Sequence, residues 1–168
     1  MKVYKLFALL LTFATAWGSH LSAKVIDVKS PNGELNISVD VKDKIYYSVS
    51  YGNDLLLKDC YLNLQLENET LGNNPKLRST KKGVIDESVK REIPLKNAVV
   101  KNHCNTLRMN FAGNYAVEFR VFDNGVAYRF ITDKKGENIV MGEDFVLNFP
   151  ANYKAHLSQP NGFKTSYE

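Results

Sequence analysis

The sequence has little of what marks several large protein classes. There are two cysteines and one tryptophan in 168 residues, and although His103 stands beside Cys104, no C-x2-C or H-x3-H spacing of the kind zinc requires occurs. Neither a zinc site nor a disulfide-dense scaffold is indicated. No apolar run reaches the ~20 residues of a membrane-spanning helix. The longest, from Leu6 to Trp17, follows Lys2 and Lys5 and leads into Leu21-Ser22-Ala23. A charged start, an apolar middle and a small-residue end make a secretory signal, so residues 1–23 are expected to be removed on export, with the periplasm as destination. Lys24 follows in place of the cysteine that a bacterial lipid anchor needs, and no membrane attachment is expected after cleavage. Excess charge is also scarce: 22 Lys and Arg face 18 Asp and Glu for a formal +4, half of it due to Lys2 and Lys5, and the remainder is scattered. A nucleic-acid partner is therefore not expected. Residues 24–168 offer room for about one domain. They are too few for a (β/α)8 barrel, which takes about 250.

What the mature region does have is alternation. Leu35, Ile37, Val39 and Val41 are interleaved with Glu34, Asn36, Ser38 and Asp40; Ile45, Tyr47, Val49 and Tyr51 repeat the pattern, as do Leu62, Leu64 and Leu66, then Leu107, Met109 and Phe111. Apolar residues at every second position share one face of a pleated strand, and no later segment sustains a helical period. The expected fold is all-β, with two packed antiparallel sheets. A two-residue loop at Asn32-Gly33 opposes Val28 to Ile37 and Ile26 to Val39, and a three-residue loop at Lys42-Asp43-Lys44 opposes Val39 to Tyr47 and Ile37 to Val49. An opening three-stranded meander follows. From Glu67 to about Arg78, Asn68, Gly72, Asn73, Asn74 and Pro75 crowd out the apolar residues and read as loop. Cys60 and Cys104 meet an oxidising compartment after export, but whether they pair depends on a separation that sequence does not give.

The segment Val117 to Phe130, VEFRVFDNGVAYRF, is the most informative. A two-residue loop at Asn124-Gly125 pairs Val121 with Tyr128 and Phe119 with Phe130, and sets Arg120 opposite Arg129 on the other face. Like charges directly across a strand pair repel. Glu118, on the same face two residues before Arg120, is the candidate to bind both guanidinium groups. Glu118, Arg120 and Arg129 thus read as a salt-bridged polar layer, or as a pair of arginines holding an acidic loop or ligand. Asp86-Glu87 and Glu143-Asp144 are adjacent in sequence and point to opposite faces of a strand, so neither forms an acid/base dyad.

At this segment the sequence resembles glycoside hydrolase family 97, which includes the SusB-like α-glucosidases. VEFRVFDNGVAYRF is similar to the family's EFRxxxDGVAFRY signature, SPNGELNISV from Ser30 to Val39 to its SPDGKIxxxV opening, and the tyrosine-rich strand Tyr46 to Tyr51 fits in order. The family usually has Asp-Gly where Asn124-Gly125 stands, a change that keeps the turn chemistry. The resemblance covers residues 25 to 168. It implies the amino-terminal, galactose-mutarotase-like β-sandwich of an α-glucosidase or α-galactosidase, here incomplete.

By that resemblance the catalytic carboxylates belong to a (β/α)8 barrel beyond this sequence, and the domain packs on the barrel beside its sugar pocket. Calcium in the complete enzyme is bound by glutamates of the barrel and one of the amino-terminal domain. The closing Ser166-Tyr167-Glu168 is similar to the region supplying that one, which makes Glu168 a candidate ligand. A single carboxylate does not hold calcium, so neither calcium binding nor catalysis is expected of the chain alone. Two alternatives stay open: an exported carbohydrate-binding module presenting Tyr46 and Tyr61 to sugar, and an inactive gene fragment. Tyr47, Tyr51 and Tyr128 fall on faces assigned to the core.

Overall fold

The computed structural model describes residues 25–93 and 97–154. The expected signal at 1–23 and the candidate ligand Glu168 lie outside the described residues. All regular structure among those residues is strand: β1 (Ile26–Lys29), β2 (Leu35–Val41), β3 (Ile45–Tyr51), β4 (Asp54–Leu66), β5 (Thr70–Leu71), β6 (Leu77–Lys90), β7 (Val99–Phe111), β8 (Tyr115–Phe122), β9 (Gly125–Thr132) and β10 (Val140–Phe145). One sheet runs β1-β2-β3-β4-β10 with β5 added to β4, and the other runs β6-β7-β8-β9. All pairings are antiparallel, and the two sheets form a β-sandwich.

The opening meander has the register that turn chemistry and alternation require. Val28 opposes Ile37, Ile26 opposes Val39, Val39 opposes Tyr47 and Ile37 opposes Val49. Gly33 supplies the left-handed residue of the first turn, at φ +79°. The apolar faces of both sheets then meet in one core. Ile37, Val39, Ile45 and Leu62 from the first sheet and Leu107, Met109, Val117, Phe119 and Val121 from the second are fully excluded from solvent. Tyr47 packs on Phe119 across the gap, with ring centroids 6.1 Å apart.

The β8–β9 hairpin corrects the sequence reading. Its turn residues are Asp123-Asn124, so Phe122 opposes Gly125, Arg120 opposes Ala127, Phe119 opposes Tyr128, Glu118 opposes Arg129 and Val117 opposes Phe130. The physical reason is that both registers keep the same residues inside. Moving each partner by two positions preserves the alternation, and a tertiary contact makes the choice: Asp123 Oδ1 accepts the Asn32 backbone N–H at 2.9 Å, tying this turn to the β1–β2 turn. Two further corrections concern segments. The stretch read as loop to Arg78 contains β5 and the start of β6, and Tyr51, assigned to the core, ends its strand exposed with its hydroxyl donating to Glu34 at 2.7 Å.

Burial holds the phenols of Tyr47, Tyr115 and Tyr128 above their ordinary range; at Tyr128 the neighbouring Glu143 carboxylate adds to the effect. A raised folded-state pKa means that the folded protein retains protons the unfolded chain loses, so stability is full below the unfolded value and drains above it. The urea midpoint should therefore hold from pH 8 to 9 and fall once the pH passes about 10, where free tyrosine ionises.

Candidate functional site

The outer face of the four-stranded sheet follows from its core face. Leu107, Met109, Val117 and Phe119 point inward, so the intervening residues of β7 and β8 point out. Pairing across the sheet aligns Lys81, Arg108, Glu118 and Arg129 in one rank, and Gly83, Thr106, Arg120 and Ala127 in the next. Glu118 is the hub. Its Oε1 accepts from Arg120 Nε at 3.0 Å and from Arg129 Nε and Nη2 at 3.1 and 2.9 Å. Arg108 Nε donates to Asn110 Oδ1 at 3.1 Å. Glu118, Arg120, Ala127, Tyr128 and Arg129 line a hollow of about 220 Å3.

The structure thus brings Glu118, Arg120 and Arg129 together, with Glu118 and not Arg120 directly across from Arg129. Arg108 and Lys81 belong to the same group and were missed by sequence reasoning. Arg108 lies between Leu107 and Met109, so its outward direction was readable; its place beside Glu118 required the β7–β8 register.

This cluster also has a stability consequence. The Glu118 side chain is 13% exposed while that of Arg129 is 56% exposed, so the carboxylate is the sequestered member. Removing it leaves Arg108, Arg120, Arg129 and Lys81 with no carboxylate in these two ranks. Replacing one partner of a sequestered pair costs far more than trimming a solvated one. Glu118→Ala should cost about 2 kcal/mol and Arg129→Gln about 0.5 kcal/mol or less, compared by urea unfolding; equal losses would mean that Glu118 does not organise the cluster.

Other features carry less chemistry. Tyr46 and Tyr61 pack edge to face at 6.3 Å, and Lys44 Nζ sits 3.6 Å from the centroid of the Tyr61 ring, covering a face that a sugar platform needs free. Cys60 and Cys104 are both buried and free. Cys60 faces the core from the first sheet, in register with Tyr47, whereas Cys104 shares the outward side of β7 with Thr106 and Arg108, so the two thiols do not meet. Glu143 accepts the Tyr128 hydroxyl at the mouth of the sandwich, while Asp144 accepts amide protons of Asn63 and Gln65 at 2.9 and 3.4 Å. The neighbours diverge and form no dyad. Among the described residues no group of three His, Cys, Asp or Glu side chains converges to hold a metal ion. A cleft of about 510 Å3 separates the edges of β1 and β6, lined by Asp27, Val28, Lys82, Val84 and Asn105, and no pair of carboxylates faces into it. No helix among the described residues is long and apolar enough to cross a membrane.

Comparison with known proteins accounts for this architecture. A retaining alpha-galactosidase of Bacteroides thetaiotaomicron is 29% identical over 135 residues, covering 80% of this chain and 20% of that protein. Among solved structures, a beta-arabinopyranosidase matches with a TM-score of 0.67 at 28% identity, over 74% of this chain and 21% of that one. A family 97 glycoside hydrolase from Pseudoalteromonas sp. strain K8, in complex with acarbose, matches with a TM-score of 0.62 at 20% identity, over 76% and 20%, and shows the common fold. The chain spans about a fifth of the length of these relatives. That fifth corresponds to the amino-terminal region. The family model described as glycosyl-hydrolase 97 N-terminal matches residues 28–168, and the chain accordingly belongs to the amino-terminal domain family of the family 97 glycoside hydrolases.

Proposed function

We propose that this domain is the non-catalytic accessory part of an exported family 97 glycosidase, lying against a catalytic (β/α)8 barrel and completing one wall of its sugar pocket. The observation that carries the reading is an apolar surface running along β10 and its continuation. Met141 is 66% exposed, Phe149 57% and Phe145 51%, and Ile139, Leu147 and Tyr153 add to them. Phe145 stacks on Tyr128 at 5.7 Å and Phe149 meets Tyr153 edge to face at 5.8 Å. Large exposed aromatic and aliphatic side chains gathered along one segment in this way mark surfaces that a partner covers. The isolated chain should therefore bind a hydrophobic dye and self-associate, and Phe149→Asp should reduce both.

Hydrolysis of a glycoside needs two carboxylates about 5 to 9.5 Å apart across the scissile bond, and in this reading both belong to the barrel. The substrate class we assign to the whole enzyme is α-galactosides, on the activity named for the Bacteroides relative. Calcium, like the catalytic pair, belongs to the assembled enzyme, with Glu168 contributing one oxygen and the barrel the others. Export places the enzyme in the periplasm after loss of residues 1–23. The test is direct: purified chain should give no turnover of aryl α-galactosides or α-glucosides, with or without calcium, and clear turnover overturns the accessory role. Calorimetric titration with maltooligosaccharides or galactosides should likewise give no heat of binding. Measurable affinity would favour a free-standing carbohydrate-binding module.

A further inference from the structure

The charged outer face of the β6–β9 sheet is more than an internally neutral layer. Lys81, Arg108, Arg120 and Arg129 occupy its two central ranks with Glu118 as the carboxylate among them. Placing Lys81 directly across from Arg108 is destabilising in itself. Among the described residues, Glu118 engages Arg120 through Nε alone, and Arg108 is engaged through Nε alone, by Asn110. The two Nη groups of each arginine have no hydrogen-bond partner among those residues, and their guanidinium planes are fixed by the bonds their Nε atoms make. A fixed guanidinium with its outer edge free is a preorganised fork for an oxyanion, and carboxylate fits it with two parallel hydrogen bonds.

We propose that this face docks an acidic polypeptide segment whose Asp and Glu side chains engage Arg108 and Arg120, with Glu118 acting as a positioning residue that holds Arg120 and Arg129 in place. Charge complementarity selects the partner: the face lacks the carboxylates its cations need. Arginine is among the residues enriched at protein interfaces, which fits a face that presents two of them with free outer edges. The assignment of the acidic segment to the catalytic partner rests on the accessory-domain reading; the chemistry of the face does not.

The experiment is a titration of the full chain with a fluorescein-labelled hexaglutamate peptide, read by anisotropy at low and moderate salt. Binding should weaken about tenfold in Arg108→Gln/Arg120→Gln and weaken with added salt. The control Lys90→Gln/Lys101→Gln removes the same charge from the far end of the β6–β7 ribbon and should leave affinity within about twofold. Arg120→Lys keeps the charge but loses the fork, and should weaken binding at least about threefold; it decides the matter should the double variant fail to fold. Equal losses in the test and control variants, or no binding by the unaltered chain, overturn the proposal. So does tighter, arginine-dependent binding of dextran sulfate, which would assign the face to polyanionic glycans, or arginine-dependent dimerisation. None of these outcomes depends on turnover, so failure here is distinct from failure of the accessory role.

Discussion

Phe119→Ala should remove about 3 to 5 kcal/mol of stability, the ordinary cost of deleting a fully buried aromatic side chain. Phe119 has no solvent exposure, and its ring meets Tyr47 of the opposite sheet at 6.1 Å and Tyr128 of the neighbouring strand at 6.3 Å. It is therefore a contact through which the two sheets share one core, and the vacated space adjoins Tyr47, Leu107 and Tyr128, all held by strand pairing. Backbone hydrogen bonds resist the collapse that would refill the cavity, so the transfer cost and the cavity cost add. A domain of this size is stable by about 5 to 15 kcal/mol, so the variant should lose at least about a fifth of its margin. The urea midpoint should fall with little change in slope, and Phe119→Leu should lose about half as much. A loss below about 1 kcal/mol would show that the sheets do not close on this residue. Packing outweighs charge in this fold: the exposed Arg129 ion pair, by the comparison above, contributes several-fold less.

How much of this was legible in the sequence depended on whether one face of each strand is buried. For β1, β2 and β3, alternation and turn chemistry acted together, and every pairing followed, because a one-residue slip would have turned Ile37 and Val39 to solvent. At β8 and β9 the same logic excluded odd slips but not a shift by two, and the choice fell to Asp123 and its bond to Asn32, residues 91 apart in sequence. β6 was not legible at all. All but one of its 14 residues are exposed, so no apolar period is written into Leu77–Lys90; its pairing with β7 is what makes it a strand. β10 was missed for a related reason, since Met141 and Phe145 are exposed on an edge. Within the candidate site, Glu118 and Arg120 were readable because residues two apart on a strand share a face. Arg108 and Lys81 joined them only through registers that local pattern does not carry. Tyr51 shows the reverse error: it keeps the alternation of β3 but stands where the strand leaves the core.

Gly72→Ala should cost about 2 to 4 kcal/mol, from left-handed strain and backbone overlap together. Gly72 follows β5 with φ +87°, and a Cβ there would lie 2.9 Å from the Leu62 carbonyl oxygen and 3.3 Å from the Asn63 Cα. Both are backbone atoms of β4, a strand bonded to β3 and β10, so neither can turn aside as a side chain would. The segment must move instead. Its movement would strain the Gly72 N–H bond to the Tyr115 hydroxyl, 3.2 Å long, and the neighbouring Leu71, which is 1% exposed and in register with Leu64. Gly33 provides the control. It has a similar φ of +79° with nothing within 4 Å of its Cβ position, so Gly33→Ala should carry the left-handed strain alone, about 1 to 2 kcal/mol before the smaller gain from a stiffer unfolded chain. The difference between the two variants in urea unfolding measures the close approach of the β5 segment to β4. Equal losses would mean that the segment stands off β4 in solution, and that the seal it makes over Leu62 and Leu64 depends on something other than glycine.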